Sequence, residues 1–269
     1  MKTPESIMER ILLSASMAAI LAASTACTVK EDRDTCPCSL AVSFSDPDAS
    51  GPVALLGWES ETVFRDQVLI EDCRPEWTKS VRKGVFILSA CKGIAGSSIP
   101  MGHVIRIPTN CQADSLYAYF EKVDATGDRA HASVFFRKQF ATVFLDTRKS
   151  DETIRGCRFQ VEGNTCGFDV LDFSPIAGPF LFEPVPATEE ALVAFRIPRQ
   201  ADDSLMVTIC PEDSPEVCLP LGEYIRQLGY DWKVEELQDI YLSIDLARGT
   251  VDLRIADWEE GTVLPLVEQ

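Results

Sequence analysis

The sequence is poor in the residues on which most hydrolytic and metal-dependent chemistry relies. It contains two histidines, His103 and His131, and neither has a Cys, Asp or Glu partner at a ligand spacing such as HxxxH or HExxH. It has no GxSxG nucleophile elbow, and the Gly-rich run 93–98 lacks the GK[ST] ending of a phosphate-binding loop. The carboxylates are numerous, but nothing in the sequence selects a glycosidase pair among them. These absences predict a protein that is not an enzyme and holds no cofactor.

Basic residues are also scarce. Lys and Arg total 25 against 42 Asp and Glu, which gives a formal net charge of −17. Such a charge disfavours binding to nucleic acid or to anionic phospholipid headgroups. The simpler interpretation of the acidic surface is solubility, which we prefer to a specific basic partner.

No apolar run is long enough to cross a bilayer comfortably, and the longest one reads as an export signal. Ile11–Ala23 is almost wholly apolar and is followed by the small residues Ser24-Thr25-Ala26 and then by Cys27. Small residues before a cysteine suit a lipoprotein signal peptidase, so we expect residues 1–26 to be removed and Cys27 to carry diacylglyceryl and palmitate chains. Residues 27–38 then form the lipidated N-terminus and tether. The alternative is an ordinary secretory signal that leaves Cys27 as a plain thiol.

The sequence is rich in cysteine, with ten in all, and export makes disulfides chemically possible. Leaving out Cys27, the candidates are Cys36, Cys38, Cys73, Cys91, Cys111, Cys157, Cys166, Cys210 and Cys218. The pairs suggested by position are Cys157 with Cys166, Cys210 with Cys218 across a hairpin loop, Cys36 or Cys38 with Cys73, and Cys91 with Cys111. Zinc is the rival interpretation, but Cys36-Pro37-Cys38 has neither the spacing of a zinc knuckle nor that of a redox motif, so no metal site is expected.

Short apolar or alternating runs separated by Gly, Pro, Asp and Asn dominate the chain after the tether and predict strands. The runs are 39–44, 61–70, 84–90, 103–108, 115–123, 132–136, 141–146, 156–161, 191–197, 205–210, 240–245 and 250–255. They exceed one seven-stranded sandwich, so we predict two tandem sandwiches, 39–128 and 129–269. The turn-rich patch 124–128 is the preferred boundary, and Lys149–Glu152 is the alternative.

One helix is predicted in the second sandwich. Leu221, Tyr224, Ile225 and Leu228 recur at helical spacing, and Gly229 stands where a C-terminal cap is expected. We expect this helix to pack its apolar face on the sandwich.

Three stretches at the two ends of the mature chain resemble one family. They are Cys27–Arg33 running into Cys36-Pro37-Cys38, Leu219–Ile225 continuing through Gly229–Trp232, and Asp239–Tyr241 followed by Ile255–Glu259. Together they resemble the fimbrillin-type anchor subunits of Bacteroidales type V pili, and Lys30-Glu31-Asp32 resembles the surface-export signal of Bacteroidetes lipoproteins. The resemblance implies an all-β fold of two tandem transthyretin-like Greek-key sandwiches, no enzymatic activity and an outer-membrane location facing the cell surface. It also implies attachment to a fimbrial shaft subunit and a role in limiting pilus length.

Subunits of this type join when an extended strand of one fills an edge or groove of the next, so the terminal strands matter. The apolar run 262–267 includes Pro265 and suits an edge or exchanged strand, or alternatively a strand that closes its own domain. Polymerising relatives are opened by arginine-directed proteolysis, for which Arg33 and Arg65 are available. An anchor is expected to keep its first strand.

A surface lipoprotein that binds carbohydrate, or an adhesin, is the alternative function. It predicts solvent-facing aromatic side chains with polar neighbours.

Overall fold

The computed structural model describes residues 36–46, 49–94, 99–146, 157–185, 192–211, 215–245, 250–255, 262–265 and 267–268. The predicted signal segment, Cys27 and the alternative boundary Lys149–Glu152 therefore lie outside the described residues.

The regular secondary structure of the described residues is almost entirely β-strand, and each of the predicted runs overlaps a strand. The strands are β1 (Cys38–Phe44), β2 (Pro52–Trp58), β3 (Thr62–Leu69), β4 (Trp77–Val81), β5 (Val85–Lys92), β6 (Ile99–Met101), β7 (Val104–Arg106), β8 (Tyr117–Asp124), β9 (Arg129–Val134), β10 (Arg137–Lys138), β11 (Phe140–Asp146), β12 (Arg158–Asp169), β13 (Pro175–Phe182), β14 (Leu192–Pro198), β15 (Met206–Cys210), β16 (Val217–Leu219), β17 (Ile240–Asp245), β18 (Thr250–Ile255), β19 (Thr262–Pro265) and β20 (Val267–Glu268). A 3₁₀ helix spans Ile70–Cys73, and the α-helix α1 spans Leu221–Gln227. The all-β prediction is confirmed.

The strands form four sheets. Their strand orders are β4-β1-β9, β10-β8-β5-β2-β3, β14-β11-β17-β18-β19 and β20-β16-β15-β12-β7-β6, with β13 added beside β12 in the last. The first two sheets share one hydrophobic cluster, and the last two share another. The molecule is therefore built from sheets packed face to face, as the sandwich prediction requires.

The first cluster follows from strict alternation in β1. Cys38, Leu40 and Val42 have no exposed surface, while the residues between them face outward. The facing strand β2 differs, because Val53 and Leu55 point into this cluster and Leu56 is buried on the opposite face. The sheet β10-β8-β5-β2-β3 is thus covered on both sides.

The second cluster includes α1, whose prediction is confirmed. Leu221 and Ile225 are fully buried against the strands. The helix ends in a Schellman motif, in which the amide of Gly229 (φ 78°) donates to the Arg226 carbonyl and the amide of Tyr230 to the Ile225 carbonyl. Glycine is favoured at this position because the motif requires positive φ.

A third cluster lies beneath the β6–β7 hairpin on the outer face of the sheet β10-β8-β5-β2-β3, which is the face opposite the first cluster. Ile105 of this hairpin pairs with Phe168 of β12, so residues 99–106 belong to the seven-stranded sheet. The turn at 124–128 connects β8 to β9, and β9 pairs with β1 while β10 pairs with β8. Division of the chain into two tandem domains at residue 128 stays a prediction.

Candidate functional site

The first strand occupies the centre of its sheet and is the structural feature with the clearest functional meaning. β1 runs antiparallel to β4, with Leu40 opposite Lys79, and parallel to β9, with Leu40 opposite Ala130. Both partners of β1 follow strands of the sheet β10-β8-β5-β2-β3. β4 follows β3 through the 3₁₀ helix, and β9 follows β8 through a turn. β1 therefore fills a groove between two strands that are connected to the rest of the molecule independently of it.

Side-chain contacts hold β1 in place on both of its faces. On the inner face its apolar side chains are completely buried. On the outer face Ser43 Oγ lies 3.3 Å from His131 Nε2, and Ser45 Oγ lies 2.5 Å from Ser133 Oγ, both on the β9 side. The strand thus supplies apolar burial, two ladders of backbone bonds and polar contacts across its parallel neighbour.

Of the two arginines that an arginine-directed protease could cut, the structure describes the surroundings of Arg65. Arg33 lies outside the described residues. Arg65 lies within β3, opposite Leu56, and its guanidinium donates to the carbonyl of Gly102. A protease needs an extended segment free of its partners, so the paired strand around Arg65 disfavours cleavage there.

The end of the chain forms two short edge strands. β19 pairs with β18, with Pro265 opposite Thr250, and β20 pairs with β16, with Val267 opposite Cys218. Residues 262–265 and residue 267 therefore lie at the edges of two different sheets of their own chain. Proline suits such an edge because it cannot donate a ladder bond.

Both histidines make side-chain contacts with residues of other strands or turns, and these contacts stabilise the fold. His103 Nδ1 lies 3.0 Å from an Asp169 carboxylate oxygen, and its ring packs at 4.7 Å on the ring of Trp58. His131 contacts Ser43, as described above. Within the described ranges no group of three His, Cys, Asp or Glu side chains could hold a metal ion.

One buried cation was not identified from the sequence. Arg199 is 6% exposed; its Nη2 donates to Gln139 Oε1 at 2.8 Å, and its Nη1 donates to the Trp232 carbonyl. Burial lowers the pKa of the Arg199 guanidinium and raises the pKa of the nearby Tyr230 hydroxyl. These contacts tie the end of β14 to the segment after α1, which is a structural role.

The cysteines are mostly desolvated thiols. Burial raises the pKa of Cys91 to about 12 and also raises the pKa of Cys38, Cys73 and Cys210. A raised pKa leaves little thiolate at neutral pH, so these groups are weak nucleophiles.

One suggested disulfide is wrong. Cys157 directly precedes β12 and Cys166 lies near its far end, so nine residues of extended chain separate them by roughly 30 Å. A disulfide requires Cα atoms within about 7 Å. Cys210 and Cys218 lie on neighbouring strands, where Cys218 pairs with Thr208, so the two cysteines are diagonal neighbours on one face. The other suggested pairs stay predictions.

A pair of aromatic rings faces solvent on the sheet that contains β11 and β17. Phe144 and Tyr241 are directly opposite in the pairing of these strands, and their rings stack at 4.9 Å with an interplanar angle of 11°. Tyr241 is 44% exposed. Thr142 lies two residues from Phe144 on the same face, whereas the Oγ of Ser243, two residues from Tyr241, is buried.

No helix in the described part of the chain combines the length and the apolar character needed to cross a membrane.

Comparisons with known proteins agree on the fold. No protein-family model matches the sequence, and no curated protein matches it. Among solved structures, the chain is similar to a candidate adhesin from Bacteroides thetaiotaomicron, with 16% identity and a TM-score of 0.58 over 86% of this chain and 98% of the other. It is also similar to a candidate polysaccharide-binding protein from the same species, with 11% identity and a TM-score of 0.63 over 85% and 98% of the two chains. A third similar structure is the fimbrial anchor protein Mfa2 from Porphyromonas gingivalis, with 10% identity and a TM-score of 0.56 over 83% and 98%. At these identities the likeness shows a shared fold, and at that level the predicted resemblance to type V pilus subunits is confirmed.

Proposed function

We propose that this chain is an outer-membrane lipoprotein that holds a fimbria at its base and limits its length. The observation that carries the proposal is the complete burial of Leu40 and Val42 in a central β1. A subunit that keeps this strand has no open groove for the strand of another copy. It can therefore end a fibre, but it cannot be extended through that groove.

The partner in this proposal is a fimbrial shaft subunit, bound through extended strands. Strand addition needs an unpaired sheet edge, since backbone bonds supply the affinity and alternate side chains supply the register. β19 and β20 both stand at the ends of their sheets' strand orders. Their position makes the C-terminal segment the first place to look for the contact. The fold shared with a fimbrial anchor protein supports this role.

Membrane attachment in this proposal comes from lipid on Cys27, with the mature protein facing the cell surface. Two or more acyl chains hold a protein almost permanently, because each buried methylene contributes about 0.8 kcal/mol. The protein acts by binding and not by catalysis in this scheme, and neither nucleic acid nor a cofactor takes part.

The test compares Cys27→Ser with Cys36→Ser in cells that make the fimbria. Cys36 is an exposed cysteine within the predicted tether, so its substitution controls for loss of a thiol. We expect Cys27→Ser to release the protein from the membrane fraction, and fimbriae to shed or change length, while Cys36→Ser leaves both unchanged. Release of the protein with no effect on any surface fibre would refute the fimbrial role.

Carbohydrate binding is the second candidate function, because Tyr241 presents an exposed aromatic ring stacked on Phe144, and such a ring can pack on a sugar. The test is a polysaccharide screen with the intact chain and with Tyr241→Ala. A glycan that binds the intact chain and loses affinity with Tyr241→Ala would favour this function. Equal binding by both would remove this surface as its site.

A further inference from the structure

A cavity of about 620 Å³ lies on the outer face of the sheet β10-β8-β5-β2-β3, the face that points away from β1. Its floor is formed by β2, β3 and β5, and its roof by the β6–β7 hairpin. The volume falls within the range of ordinary ligand sites, about 300–1,000 Å³. The proposed fimbrial role does not use this cavity.

The cavity exists because small residues lie opposite each other on the outer face of the paired strands β2 and β5. Ala54 of β2 pairs directly with Cys91 of β5, and both line the cavity. Gly93 follows with φ 82°, and a Cβ there would lie 1.9 Å from the Ser115 carbonyl oxygen. Side chains of this size leave a depression that larger residues would fill.

The walls around this floor are aliphatic. Leu56, Ile105 and Val170 line the cavity and are all buried. Surfaces of this kind favour the apolar body of a ligand, since removing apolar area from water stabilises the complex.

The roof is fixed by contacts that do not depend on a ligand. The Val170 amide donates to the His103 carbonyl at 3.0 Å, and Ser89 Oγ donates to the Val170 carbonyl at 2.6 Å. The contact of His103 Nδ1 with Asp169 and the packing of the His103 ring on Trp58 also hold the hairpin. The cavity is therefore preformed, which lowers the entropic cost of binding.

Only one charged side chain of the lining remains available to a ligand. Asp66 is paired with Lys79 at 2.6 Å, and His103 is paired with Asp169. The ammonium of Lys92 lies over the ring of Phe136 at 5.0 Å, on the other face of the sheet.

The remaining charged group is the exposed Arg65. A guanidinium has five N–H donors, and the hydrogen bond from Arg65 Nη2 to the Gly102 carbonyl uses only part of them. An arginine beside an apolar cavity is complementary to a carboxylate, which it binds with charge-assisted hydrogen bonds, and this local attraction opposes the repulsion from the net charge of −17.

We propose that this cavity binds a fatty-acid-like carboxylate, with its aliphatic chain on Ala54, Cys91 and Ile105 and its carboxylate on Arg65. The class follows from the combination of aliphatic walls with one available guanidinium. A neutral sugar would leave that guanidinium without a charged partner and would place hydroxyl groups against apolar walls.

The test uses dodecanoate and dodecanol, which share a chain and differ in the carboxylate. Both are titrated calorimetrically, below their micelle or solubility limits, into the full chain carrying Cys27→Ser. Arg65→Gln is the test variant. Arg82→Gln is its control, because Arg82 is a surface arginine paired with Glu59 and Glu61 and does not line the cavity.

We expect Arg65→Gln to weaken dodecanoate binding about tenfold or more, the loss typical of a charge-assisted hydrogen bond, and to leave dodecanol unaffected. Arg82→Gln should change neither. Ala54→Leu should abolish binding of both compounds because it fills the floor, and melting temperatures confirm that each variant is folded. The proposal is overturned if dodecanoate does not bind, if it binds no better than dodecanol, or if a folded Ala54→Leu variant binds as the parent does.

Discussion

Replacing Leu40 by alanine tests whether β1 is held as the structure shows. The Leu40 side chain is fully buried at the centre of the first cluster, between strands β4 and β9. Truncating such a leucine removes its transfer free energy and leaves a cavity, which together cost about 2–5 kcal/mol. Ser39→Ala is the matched control: Ser39 is the preceding residue, faces outward and should change stability by less than about 0.5 kcal/mol.

Hydrogen exchange followed by mass spectrometry separates a local effect from a global one. A loss of 2 kcal/mol corresponds to about 30-fold faster exchange wherever opening depends on Leu40. We expect this acceleration in peptides that cover β1 and its two neighbours, and little change in β15, which belongs to the second cluster. Equal exchange in Leu40→Ala and Ser39→Ala would refute the placement of β1, and equal acceleration in β15 would contradict the predicted division into two domains.

Three further measurements test other features. Gly93→Ala should lower stability by about 2 kcal/mol or more, because φ is positive and the new Cβ would meet the Ser115 carbonyl; an unchanged melting temperature would contradict this. Cys91 should react with iodoacetamide at pH 8 at least about a hundredfold more slowly than the exposed Cys36, because burial raises its pKa to about 12; peptide mapping gives the two rates, and similar rates would contradict the burial. Burial, followed by the charge of Glu121, raises the pKa of Tyr119 to about 12. The unfolded tyrosine titrates near pH 10, so the stability linked to Tyr119 is present below that pH and is lost as the pH rises from about 10 to 12. The fall in melting temperature over this range should be smaller in Tyr119→Phe, and identical profiles would argue against the shift.

Two strands that the sequence did not reveal, β2 and β13, were hidden for different physical reasons. β2 is covered on both faces, so its run Pro52–Trp58 is nearly continuous in apolar residues, and periodicity alone does not distinguish such a run from a buried helical segment. β13 contains Pro175, Gly178 and Pro179, which are normally signs of a turn. Its partner β12 has register shifts between 163 and 167, where bulges absorb these irregular residues.

Long-range pairing was equally inaccessible from local patterns. The predicted run 103–108 is a strand, but nothing in its composition indicates that it pairs with β12 some 60 residues later. The same limit hid the cavity, because Ala54 and Cys91 become neighbours only through the register of β2 and β5. By contrast, α1 was predictable because its spacing and its glycine cap are both local.

The position of β1 has a consequence for how the molecule responds to tension. The N-terminal segment joins β1 directly at Cys38, and β1 is bonded along its length to a neighbour on each side. Tension that is applied to this end of β1 along the strand axis shears both hydrogen-bond ladders together and does not peel them open one bond at a time. Rupture then requires many bonds to fail at once, and this geometry makes extraction of the strand by force slow.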